Sequence, residues 1–135
     1  MAAAVLIVED QTLIAWHLRE IVEQAGLRVV DVARAPDEAL DAARRERPDF
    51  ALMDVRLAHD TSGIDAARLL YECFGVRCIF VSANIDVAMR KRVAGYRPLG
   101  FVGKPFLRAE LLDALRHAEA CISQEDGNGR SAGTD

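Results

Sequence analysis

Asp49-Phe50-Ala51-Leu52-Met53-Asp54 decides how the rest of this chain is read. A polar residue leads into four apolar ones without alternation, and a carboxylate follows at Asp54. An unalternating apolar run this short is the pattern of a strand buried on both faces, as in the middle of a parallel sheet. Open α/β sheets form their binding crevice beyond the carboxyl ends of such strands, so Asp54 falls where chemistry is expected.

Working outward, the chain alternates strand and helix. Ala4–Val8 reads as a buried strand that stops at Glu9-Asp10. Thr12 is placed to cap the helix that follows, whose apolar stripe is Ile14, Leu18, Ile21, Val22 and Ala25. Gly26 fits the left-handed position just past that helix. Val29–Ala33 is a second strand, and Ala35–Arg45 a second helix with Pro36 in its first turn. Pro48 then leads into the strand ending at Asp54. The loop Val55–Ser62 is polar and long, and Gly63 opens a third helix, Ile64–Cys73. Strand Cys78–Val81 ends at Ser82. A weaker helix over Val87–Val93 carries Arg90-Lys91-Arg92 and is ended by Gly95 and Pro98. The very short strand Phe101-Val102 precedes Gly103-Lys104-Pro105, and Leu107–Cys121 is the last helix.

Composition narrows the class. The chain has 135 residues, 51% apolar and 28% charged, which fits one globular domain with a sizeable core. A net charge of −4 argues against a nucleic-acid-binding surface. No apolar run approaches the roughly 18 residues needed to span a bilayer, and the start lacks the basic region of a signal peptide. Cys73, Cys78 and Cys121 suit a reduced cytoplasmic protein, and are expected as buried, inert thiols. After Ser123 the chain turns to Gly, Asn, Ser, Asp and Arg. The expected division is a domain over residues 1–122 and a disordered tail over 123–135.

Five strands alternating with five helices imply a parallel sheet covered on both faces. Right-handed crossovers bring every strand's carboxyl end to one edge. Glu9 and Asp10 from strand one, Asp54 from strand three, Ser82 from strand four and Lys104 from strand five then share one crevice. Two unit charges about 4 Å apart repel by about 1 kcal/mol in water and about 4 near a protein surface. A divalent cation removes that repulsion, and an oxygen-only donor set favours Mg²⁺, which takes one or two carboxylates plus a phosphate. Ser82 offers a hydroxyl and Lys104 a compact positive charge to a phosphoryl oxygen. An aspartate carboxylate can itself accept a phosphoryl group as nucleophile.

Val8-Glu9-Asp10, Leu52-Met53-Asp54 with Gly63 downstream, Val81-Ser82-Ala83, and Gly103-Lys104-Pro105-Phe106 occur in this order. With these four motifs the chain resembles a bacterial response-regulator receiver domain of two-component signalling, from residue 3 to about residue 121. The resemblance implies a flavodoxin-like doubly wound (βα)5 fold with a five-stranded parallel sheet in the order 2-1-3-4-5. It implies Asp54 as phosphoacceptor, and Mg²⁺ (or Mn²⁺) on Glu9, Asp10, Asp54 and the Arg56 backbone carbonyl. Ser82, Ala83 and Lys104 would bind the phosphoryl group, with the Lys104–Pro105 bond cis. Ser82 and Phe101 would form the switch. The implied donor is a sensor histidine kinase or a histidine phosphotransfer protein. The output would be a protein partner, or self-association, through the face of helix four, strand five and helix five.

The sequence departs from the family pattern at three places. The loop Val55–Ser62 is slightly long and has Ala58 where proline is frequent; Phe101 replaces the usual Tyr; Ser82 replaces Thr. Individually the motifs also have plainer readings. Glu9-Asp10 suits a helix dipole, Asp54 a cap, Ser82 a turn and Lys104 a solvated loop. Arg90, Lys91 and Arg92 read as a solvated helix face or a docking surface. Leu13 and Trp16 lie off the buried stripe and read as an exposed docking pair or as partly buried against a loop. With about a dozen residues after the last helix, a stand-alone, non-enzymatic, cytoplasmic receiver is expected. Two alternatives are a Mg²⁺-dependent phosphatase turning over at Asp54 and a pseudo-receiver that binds partners without phosphorylation. Arg56, where such a phosphatase would carry its general acid, weighs against the first.

Overall fold

The computed structural model describes residues 2–56 and 62–133, with side chains up to Glu125. Ala58 lies outside the described residues. The elements run β1 (Ala4–Val8), α1 (Thr12–Gln24), β2 (Arg28–Ala33), α2 (Pro36–Arg45), β3 (Phe50–Asp54), α3 (Gly63–Phe74), β4 (Arg77–Ser82), α4 (Val87–Val93), β5 (Gly100–Gly103) and α5 (Arg108–Gly133). The five strands form one parallel sheet in the order β2-β1-β3-β4-β5, the flavodoxin-like arrangement that the motifs imply.

All five residues of β3 are buried, because helices cover both faces of the sheet. Phe50 and Leu52 pack with Leu18, Ile21 and Leu115, and so face α1 and α5. Ala51 and Met53 pack with Ala39, Ala66 and Leu70, and so face α2 and α3. The two-residue period of the strand thus sends alternate side chains into two separate cores. Small residues on the inner sides of α2 (Ala39, Ala42, Ala43) and α3 (Ala66, Ala67) let these helices lie close to the sheet. Asp49 joins β1 to β3 at their amino ends: its carboxylate accepts from Ala4 N at 2.7 Å, and its own N–H donates to Ala4 O at 2.7 Å.

Several local expectations shift. Gln11, not Thr12, is the cap residue of α1, and no side chain caps that end. Ala15 is buried in α1, whereas Ile14 is only half-buried, at the rim of the crevice. Gly26 has φ 84°, as the end of α1 requires. Ser62, read only as loop, caps α3 by accepting from Ile64 N and Asp65 N. Of the thiols only Cys78 is buried, and burial pushes its pKa up to about 12; Cys73 is exposed and Cys121 half-buried. Cys73 stands near the end of α3, turned away from its buried stripe.

The last helix is longer than expected. It continues past Cys121 to Gly133, so Ser123 and Gln124 belong to α5 rather than to a tail. The fastening is Glu125, which takes Arg77 with one carboxylate oxygen and Arg97 with the other. Arg97 itself has φ 50°, and its carbonyl accepts from Arg77 Nε at 2.6 Å. Sequence periodicity cannot register such a tie, because the three residues come from three separate segments.

Candidate phosphoryl-acceptor site

Strand register sets the site. Val8 pairs with Met53, Asp54 with Val81, and Ser82 with Gly103, so four strands end nearly level. Lys104 N donates to Ser82 O at 2.9 Å, which carries the β4–β5 ladder one residue further. The lysine side chain therefore leaves the sheet edge beside the carboxylates. Its Nζ lies 3.0 Å from Glu9 Oε1 and 3.3 Å from Asp54 Oδ1.

Glu9, Asp10 and Asp54 each offer a carboxylate oxygen, all within 4.8 Å of one another. Glu9 is 1% exposed and Asp54 6%. Burial, followed by hydrogen bonding to the Asp54 carboxyl, raises the Glu9 pKa to about 7, against the opposing pull of Lys104. For Lys104, burial acts to lower the pKa, but Glu9 and Asp54 together outweigh it and hold the ammonium charged. One lysine thus faces three acids. This oxygen-only set with excess negative charge fits a hard divalent cation, and receiver domains typically bind Mg²⁺.

The remaining predicted residues are distributed unevenly. Asp54 Oδ1 also accepts from Arg56 N at 3.3 Å. Arg56 pairs with Ser62 in an isolated antiparallel bridge, closed on one side by Gly63 N donating to Val55 O. The Ser82 hydroxyl accepts from Asn84 N at 3.2 Å and so is engaged with the β4–α4 loop. Ser82, Ala83, Arg56 and Lys104 all line the crevice, which has a volume of about 670 Å³. Phe101 is half-buried and stacks on Phe80 with centroids 5.9 Å apart.

The basic run on α4 divides. Arg90 is exposed and places its guanidinium 4.3 Å from the Phe101 ring centroid, in a cation–π contact. Arg92 reaches the rim of the crevice, and Lys91 stays exposed. Leu13 and Trp16 are 76% and 69% exposed, so the partly buried reading of that pair does not hold. Next to them His17 stacks on Phe106, linking α1 to the β5–α5 loop.

Sequence reasoning missed three supports. Arg34 donates to the Asp10 carbonyl at 3.0 Å and fixes the loop after β1. Asn84 engages Ser82. Gly63 abuts the Asp54 backbone so tightly that a Cβ there would lie 2.8 Å from the Asp54 carbonyl carbon and 2.9 Å from Val55 Cα. Gly63 itself was named in the sequence as the opening of α3, and only its crowding against Asp54 went unseen.

The doubly wound sheet thus carries an acid cluster and a lysine together at its carboxyl edge. The response regulator receiver domain family matches residues 5–116, and the chain belongs to that family. It is 35% identical to the phyllosphere-induced regulator PhyR of Methylorubrum extorquens, over 98% of this chain and 48% of that protein. The chain thus spans about half the length of that relative. It is 31% identical to the polar-differentiation response regulator DivK of Brucella anthropi, over 86% of this chain and 95% of that protein. Among solved structures, the signal receiver domain of a modulated diguanylate cyclase from Desulfovibrio desulfuricans G20 superposes with a TM-score of 0.81. It is 31% identical, with 93% of this chain and 99% of that one covered. Among the described residues no helix is long and apolar enough to cross a membrane.

Proposed function

We propose that Asp54 accepts a phosphoryl group from a phosphohistidine on a sensor kinase or a histidine phosphotransfer protein. The observation that carries this reading is the Lys104 ammonium held between Glu9 and Asp54 at the sheet edge. An Asp54 oxygen forms the new P–O bond as the partner's P–N bond breaks. The imidazole, protonated on its other nitrogen, leaves as the neutral ring with the electron pair of the broken bond. Mg²⁺ (or Mn²⁺) held by Glu9, Asp10, Asp54 and the Arg56 carbonyl would neutralise charge on the transferring group. The Arg56 carbonyl suits this role because an extended residue turns its N–H and C=O to the same side, and this N–H meets Asp54.

Lys104 meets the incoming phosphoryl oxygen as a point charge already positioned by its two ion pairs. Ser82 would exchange its Asn84 contact for a phosphoryl oxygen, and the β4–α4 loop would follow. Phe101, stacked on Phe80, then changes the face formed by α4, β5 and α5. That face is the proposed output surface, toward a protein partner or a second copy. Leu13 and Trp16, exposed on α1, are the proposed contacts for the donor protein. The chain accepts and holds a phosphoryl group rather than turning over a substrate, as a cytoplasmic signalling domain.

The test is intact-mass measurement after incubation with acetyl phosphate and Mg²⁺, comparing wild type with Asp54→Asn. Wild type should gain one acid-labile phosphoryl mass and the variant none. A gain that persists in Asp54→Asn sinks the assignment.

A further inference from the structure

α4 carries two arginines that serve opposite flanks. Arg90 and Arg92 are two residues apart, roughly 200° around a helix, so they cannot share a side. Arg90 lies over the Phe101 ring. Arg92 lines the crevice together with Asp54, Ser82 and Lys104, although it belongs to a different element from any of them. None of the ion pairs among the described residues includes Arg92. Lys104, by contrast, is committed to Glu9 and Asp54. Asp86, the other acid on the crevice wall, is occupied as the cap of α4, accepting from Met89 N at 2.8 Å.

We propose that Arg92 is a phosphoryl-contacting residue: its guanidinium closes onto the phosphoryl group on Asp54 and ties α4 directly to the phosphorylation state. The inference rests on Asp54 being the acceptor. Phosphorylation adds roughly 1.5 to 2 negative charges and three acceptor oxygens to the crevice. A planar guanidinium is suited to bind two such oxygens at once. Arg56 stands on the same crevice but follows Asp54 on the same loop, so it cannot transmit the state to another element. Arg92 can. Drawing α4 toward the crevice also shifts Arg90 against Phe101, so the ring is reached from α4 as well as through Ser82.

The experiment titrates beryllium fluoride, a tetrahedral mimic of a phosphoryl group, into the Mg²⁺-loaded chain and follows the melting temperature. Wild type should be stabilised, and Asp54→Ala should not respond. Arg92→Ala should need on the order of tenfold more beryllium fluoride for the same shift, with Arg92→Lys in between. Arg116→Ala, which removes an exposed charge of the same sign from α5, should titrate like wild type. Melting without the mimic should match for all the arginine variants, which separates contact from folding. If Arg92→Ala titrates like wild type while Asp54→Ala is silent, Arg92 is overturned and Asp54 stands. If wild type fails to respond, or Asp54→Ala responds equally, both assignments fall.

Discussion

Gly63 and Glu9 show how single residues are constrained by the site they flank. At Gly63 any side chain would drive a carbon into the carbonyl of Asp54. Backbone, unlike a flexible side-chain tip, cannot step aside cheaply. Gly63→Ala should therefore lower stability by about 2–4 kcal/mol, seen as a reduced urea midpoint. A midpoint equal to wild type would mean that the loop after β3 yields freely. Glu9 makes a pH prediction for the metal-free protein. Its carboxyl titrates near 4.5 when unfolded and at about 7 when folded. Between those values the native state holds a proton that the unfolded chain has released, so stability falls as pH rises through the window. The raised pKa of Lys104 has no effect there, because that group is charged in both states until far more alkaline pH. Urea midpoints in EDTA at pH 5 and pH 8 should differ in wild type and converge in Glu9→Gln. Parallel pH profiles for the two proteins would contradict the assignment.

Helix lengths and ends are decided by what the elements lie against. α4 is short and anchored by Met89 and Val93, with the Asp86 carboxylate as its cap. α1 and α5 cover one face of the sheet and are linked through Arg108, which pairs with Glu20 and contacts Gln24. The end of α5 depends on Glu125. Arg77, whose side chain is only 14% exposed, and the carbonyl of left-handed Arg97 meet under that carboxylate. Glu125→Ala leaves two arginines without their acid. It should cost on the order of 1 kcal/mol and speed amide exchange in α5 after Cys121. Unchanged exchange there would show that the helix holds its length without the tie.

The whole molecule is a rigid sheet with a softer flank. β1 and β3 are fully buried and hold Glu9 and Asp54 at one edge, whereas α4 and the loop before it are largely exposed. Few buried contacts mean low local stability, which is what a switching element needs. Amide exchange with acetyl phosphate and Mg²⁺ should therefore change over residues 83–103 and stay the same in β1 and β3. A uniform change over all strands would point to global stabilisation instead of a directed switch.

The periodicities settled the layered parallel α/β class, and the resemblance of the four motifs implied the strand order 2-1-3-4-5. The apolar runs Ala4–Val8 and Phe50–Met53 suit strands covered on both faces, and right-handed crossovers bring their carboxyl ends to one edge. Glu9, Asp10, Asp54, Ser82 and Lys104 were legible as a group because they all follow strands, and strand ends meet at one edge. Side-chain geometry across elements was not legible. The Lys104 bridge between Glu9 and Asp54, the Arg90–Phe101 contact, the Glu125 tie and the crowding at Gly63 each join residues of different segments. A local pattern records which face a residue occupies, because that depends on the repeat of its own helix or strand. Which partner it meets depends on register, crossing and loop path, and these exist only in the folded chain.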